Sequence, residues 1–76
     1  MIVGTCECTC RIPAAASFKD KRRVVKSVIA RIRNKHNLAV AEADHQDRIQ
    51  LATIGMSGVA NSKRRVGREL NAALEL

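Results

Sequence analysis

The sequence predicts an α+β domain, with two helices on one face of an antiparallel sheet in the order β-α-β-β-α. Three observations predict it. Residues 2–12 alternate, with Ile2, Cys6, Cys8, Cys10 and Ile12 on one side and Thr5, Glu7, Thr9 and Arg11 on the other, as in a strand covered on one face. Residues 18–32 place Phe18, Val24, Val25, Val28, Ile29 and Ile32 at spacings of three and four, the stripe of a helix packed on a sheet. The apolar supply is small: 18 Ile, Leu and Val, two Met and one Phe beside 11 Ala in 76 residues. A chain this short buries only roughly 60% of its unfolded surface, enough for one layer of helix on one of sheet. Two-domain enzymes, wide barrels and transmembrane spans are excluded.

The elements follow in order. The first strand ends at Pro13, and Ala14 to Ala16 connect it to a helix. Ser17 caps that helix, with Asp20 three residues on as a short capping box. The helix fades at Lys35 to Asn37, where His36 and Asn37 suit a C-terminal cap. Residues 38–43 read as a short second strand with Leu38 and Val40 on one side. The polar run Asp44-His45-Gln46-Asp47 suits a hairpin turn. Residues 48–59 read as a third strand, apolar on both faces and therefore central. Asn61 or Ser62 caps a second helix carrying Val66, Leu70, Ala73 and Leu74. This is a split β-α-β unit lacking its last strand. The strand that bears the cysteines is left with one open edge, and open edges invite pairing. Either the gene product continues beyond Leu76 or a partner supplies the strand.

Met1 to Gly4 is too short an apolar start for a signal peptide, and polar residues follow at once. A cytoplasmic location is expected. Cys6, Cys8 and Cys10 stand at strict period two. In a strand, such neighbours sit about 6.6 Å apart. A disulfide needs Cβ atoms within roughly 4.5 Å, and thiolates about 2.3 Å from one zinc must also come closer than that spacing. The expectation is therefore three small apolar fillers of a covered face, with a redox or metal role as the alternative.

Charge is the strongest functional signal. The chain carries 14 Lys plus Arg against 7 Asp plus Glu, for a net charge of +7. On the first helix Lys19, Arg22, Arg23, Lys26 and Arg33 fall in one sector of about 100° beside the apolar stripe. Lys63, Arg64 and Arg65 open the second helix. Cations in a first turn oppose the helix dipole, and with the backbone amides there they form an anion site. The functional reading is contact with nucleic-acid phosphates; the plainer one is a solvated helix face. Sheet-surface RNA binders stack bases on aromatic rings, yet the only aromatic here is Phe18, expected in the core stripe. Recognition would rest on shape and backbone charge.

Glu42, Asp44, His45 and Asp47 lie within six residues. Glu42 and Asp44 are expected on one strand face, with His45 and Asp47 at the turn. A His with carboxylates can ligate a divalent ion, so a small metal-dependent enzyme is one reading of this hairpin. Turn stabilisation, with carboxylates neutralising Arg48 or the basic helix, is another, and a partner-binding loop a third. No phosphate loop, second nearby His or placed nucleophile accompanies it. No cofactor is called for.

The run Ser17-Phe18-Lys19-Asp20-Lys21-Arg22-Arg23-Val24-Val25, the segment Asn37 to Val40, and Ala41-Glu42-Ala43-Asp44-His45-Gln46-Asp47 with Gln50 resemble the YlxP-like family of small bacterial proteins of unknown function. The resemblance covers nearly the whole chain. It implies a ferredoxin-like fold and, because genes of the family often lie among those for translation and ribosome maturation, an RNA or ribosome partner. Glu42, Asp44, His45, Gln46, Asp47 and Gln50 stand in its hairpin motif without a known role. Three departures stand out. Ile49 replaces a usual Trp, Leu51 replaces a usual Arg, and the final strand is missing. The Cys-x-Cys-x-Cys run is not part of the family pattern.

The sequence thus reads as a non-enzymatic, cytoplasmic, ferredoxin-like domain that binds structured RNA through Lys19, Arg22, Arg23, Lys26 and Arg33, helped by Lys63, Arg64 and Arg65. The rival is a dimerising structural or regulatory module, using the open strand edge and the apolar, exposed Ile49 and Leu51.

Overall fold

The computed structural model describes residues 1–75. The elements are β1 (Ile2–Arg11), α1 (Phe18–Lys35), β2 (Ala39–Asp44), β3 (Leu51–Ala60) and α2 (Lys63–Leu74). The sheet is antiparallel in the order β1-β3-β2, so β3 is central, as its two apolar faces predict. The fold is the α+β, ferredoxin-like split arrangement. Among the described residues the outer edge of β1 has no strand beside it.

Both helices start on serine caps. Ser17 Oγ accepts from Asp20 N at 3.1 Å, and the Asp20 carboxylate accepts in turn from Ala16 N at 3.2 Å. Ser62 Oγ accepts from Arg65 N at 3.3 Å. These bonds satisfy amides that a helix start leaves without partners.

The core lies between the sheet and the helix layer. Val40, Ala52, Ile54 and Met56 from the sheet meet Val25 and Ile32 of α1 and Leu70 and Ala73 of α2, closed at one end by Ile12 and Ala15. Gly58 lets the chain after α1 approach β3, because a Cβ there would lie 2.6 Å from Leu38 Cδ2.

Four expectations are corrected. Phe18 and Val24 are 44% and 40% exposed, not core. Val24 lies about 80° round the helix from Ile32, at the rim of the stripe. Phe18 opens the helix on a cavity wall shared with Arg48, Ile49 and Gln50. The inward position of that first turn belongs instead to Lys21, which is 3% exposed. The third strand begins at Leu51, because Arg48 N bonds back to His45 O at 3.0 Å and residues 48–50 complete the loop. That loop turns Ile49 against the core and leaves Leu51 only partly exposed, so the pair is not an apolar patch. The most exposed large apolar side chains on the uncovered sheet face are instead Val3 and its cross-strand partner Val59, 57% and 58% exposed.

Candidate nucleic-acid interface

The basic side chains of α1 follow from its inward face. Burying Lys21, Val25 and Ile32 turns Lys19, Arg22, Arg23, Lys26 and Arg33 outward, and all five are exposed. From Lys19 to Arg33 the ridge is about 21 Å long at 1.5 Å per residue. Among the described residues the side-chain contacts between basic and acidic groups are the Lys21–Glu42 ion pair and the His36–Glu69 hydrogen bond, and neither takes a charge from the ridge. Asp20, the acid nearest in sequence, spends its carboxylate on the Ala16 amide. Arg33 is partly engaged, since its Nη2 donates to Val40 O at 2.7 Å.

Lys63, Arg64 and Arg65 are exposed at the start of α2, but the topology separates them from the start of α1. α1 begins beyond Arg11, at one end of the sheet. α2 begins beyond Ala60, which pairs with Ile2 at the other end. With α1 about 27 Å long, the two clusters cannot form one compact footprint. Arg33, near the end of α1, is the member of the ridge closest to the second cluster in the run of the helix.

The hairpin is held by side chains that the sequence reading left without a role. Lys21 reaches across from α1, with Nζ 3.1 Å from Glu42 Oε2 and 2.5 Å from the carbonyl of His45 that it donates to. The Glu42 contact lies off a good hydrogen-bond line, so it is chiefly an attraction of charges. Gln50 Nε2 donates to Pro13 O and Ala15 O, both at 3.3 Å, tying the loop to the β1–α1 connection. Gln46 Nε2 reaches Glu42 O at 3.5 Å, and Asp47 is exposed. His45 adopts φ 63, a left-handed conformation supported by Asp44 Oδ1, which accepts from His45 N at 2.7 Å. Its Nδ1 is 2.8 Å from Thr53 Oγ1, which is itself 2.8 Å from Thr9 Oγ1.

A register shift between Glu42 and Asp44 sets Glu42 opposite Ile54 but Asp44 opposite Thr53. The extra residue reverses the alternation, so Glu42 and Asp44 do not share a face. Glu42 turns toward the helix layer and Asp44 toward the open face. Among the described residues no group of three or more His, Cys, Asp or Glu is placed to hold a metal ion. Lys21 was missed because its charge hid its position, although the spacing 21, 25, 28, 32 puts it on the inward stripe.

The cysteines lie on the covered face of β1, as expected of fillers, but are less deeply buried than that reading implies. All three are free and partly exposed on the helix-facing side of β1. Cys8 Sγ and Cys10 Sγ lie 3.6 Å apart, closer than the backbone spacing suggested, because the side chains lean toward each other. Burial, and then the Cys8 sulfur, push the Cys10 thiol above its ordinary range.

Residues 3–76 match the family described as "Protein of unknown function (DUF503)". The chain is also similar to "Uncharacterized protein YlxP" of Bacillus subtilis (strain 168), at 36% identity over 73 residues, covering 96% of this chain and 79% of that protein.

Proposed function

The chain belongs to this DUF503 family of proteins of unknown function, and on that premise we propose that it is a non-enzymatic, cytoplasmic module that binds structured RNA, ribosomal RNA included, through the outer face of α1. One observation carries the reading: five exposed cations run along one side of a single helix with no carboxylate paired to any of them among the described residues. Unpaired cations at this density repel one another, and a line of phosphates relieves that repulsion while releasing counterions. RNA rather than DNA is favoured by the association with translation genes that the family resemblance implies. The uncovered sheet face carries no aromatic ring for base stacking, so binding rests on backbone charge and shape.

Titration of a fluorescent ribosomal RNA helix at several salt concentrations tests the proposal. Five phosphate contacts give a log–log slope of about −4.5 on duplex nucleic acid. Reversing Arg22 and Arg23 to Glu should weaken binding at every sequence tried and flatten the slope by about 2. Binding and slope that do not respond to the double reversal overturn it.

A second reading, a homodimer through the open edge of β1, is favoured by the length of that edge, ten residues with no strand on that side among the described residues, and by Val3 and Val59 on the face beside it. Light scattering discriminates, since a monomer at all concentrations is incompatible with it.

A further inference from the structure

We propose that Cys8 and Cys10 form a two-thiolate site for a soft, thiophilic metal ion on the helix-facing side of β1, beside its unpaired edge. The two thiols make an S–H···S contact with the sulfurs 3.6 Å apart, a separation that two bonds to one ion can span without moving the strand. Bonds of about 2.3 Å meet at an angle of about 103° across that gap, near the tetrahedral value.

The same geometry disfavours a direct sulfur–sulfur bond of about 2.05 Å. The backbone positions of Cys8 and Cys10 are fixed opposite Ile54 and Ala52 in the ladder with β3, and closing a disulfide between them would buckle a paired strand. The pair is therefore spaced for a bridging atom and held back from oxidation within the chain.

The packing separates these two thiols from the third cysteine. Cys6 packs against the hydrophobic core, as a filler should, and its sulfur leans instead toward the carbonyl of Glu7, 3.9 Å away. All three are partly exposed, but Cys10 forms part of the wall of an apolar cavity of about 270 Å³ with Val24, Val25, Val28 and Ile54.

The donor set selects the ligand class. Two sulfurs, with no cluster of three ligands among the described residues, favour soft ions over Mg²⁺ or Ca²⁺. Binding converts two thiols to thiolates, M²⁺ + 2 RSH → M(SR)₂ + 2 H⁺, with no change in oxidation state. The ion's remaining positions stay open to water or to an external thiol.

Cd²⁺ serves as the probe, added to the reduced full chain, with Zn²⁺ as competitor and Mg²⁺ as the hard-ion control. Expected are one equivalent of Cd²⁺ per chain, a thiolate-to-metal charge-transfer absorption and the release of two protons. Cys8→Ser and Cys10→Ser should each weaken binding by at least about tenfold, and Cys6→Ser by less than about threefold. Should a serine variant fail to fold, alkylation of the unaltered protein read by mass spectrometry decides: Cd²⁺ must protect Cys8 and Cys10 together. No absorption at one equivalent, equal loss on Cys6→Ser, or protection confined to Cys6 overturns the proposal.

Discussion

Removing the charge of Glu42 while keeping its shape, as Glu42→Gln, isolates the contact that joins the hairpin to α1. The Lys21 side chain is 4% exposed and that of Glu42 25%. At 3.1 Å and an effective dielectric of 20, the attraction is about 5 kcal/mol before desolvation. Removing one partner of a buried pair costs about 3–5 kcal/mol, because the other charge stays buried without compensation. Here the His45 carbonyl still accepts from Lys21, which places Glu42→Gln at the low end, about 3 kcal/mol. Lys21→Met should cost less, about 1 kcal/mol. Methionine fills the inward position, and the freed carboxylate, a quarter exposed, turns to water. The expected asymmetry is thus about 2 kcal/mol, in a domain whose whole stability is of order 4–11 kcal/mol. Urea unfolding followed by circular dichroism measures both variants, with an unchanged slope as the sign that only stability has moved. Equal costs for the two variants, or a cost below about 1 kcal/mol for Glu42→Gln, would refute the assignment of Lys21 as a buried charge that depends on Glu42.

Gly67→Ala should raise stability by about 1 kcal/mol, since a Cβ there meets nothing within 4 Å; Gly58→Ala should lower it by about 1–3 kcal/mol through overpacking against Leu38. Thermal unfolding of the pair reads both signs, and a stabilising Gly58→Ala would show that Leu38 moves aside freely. At the left-handed residue His45, His45→Asn should be close to neutral, whereas His45→Val should destabilise by about 2 kcal/mol; equal effects would argue that the turn relaxes. Cys10 should alkylate with a pH profile displaced above the ordinary thiol range, because burial and Cys8 disfavour its thiolate. The folded state holds that proton longer than the unfolded one, so this group's contribution is full below the unfolded thiol pKa and declines as pH rises through and beyond it. A rate profile inflecting at the ordinary thiol pKa would contradict the burial argument.

Much of this architecture can be read along the chain because it is local. The serines at 17 and 62 announce helix starts through a hydroxyl that answers amides a few residues away. The period-two run of β1 and the two-sided apolar character of β3 set the faces and the central place of the third strand. The basic ridge is legible for the same reason, since five positions on one helix keep their angular relation whatever the helix packs against.

What escaped the sequence depends on partners distant along the chain or on a single displaced residue. Lys21 has the spacing of a core residue and the chemistry of a surface one, and its burial is tolerable only because Glu42 and the His45 carbonyl arrive from the end of β2 and the turn after it. The register shift between Glu42 and Asp44 leaves no mark in composition, yet it sends two neighbouring carboxylates to opposite faces.

Composition and periodicity by themselves determined the layers, the order of elements and the line of cations on α1, because each is a property of successive dihedral angles and side-chain polarity. Only the tertiary structure decided that the two helix starts stand at opposite ends of the sheet, that Lys21 closes the hairpin from within, and that two sulfurs meet at 3.6 Å. These depend on where packing brings separate segments together and which rotamers it selects, and backbone spacing along one strand does not specify either.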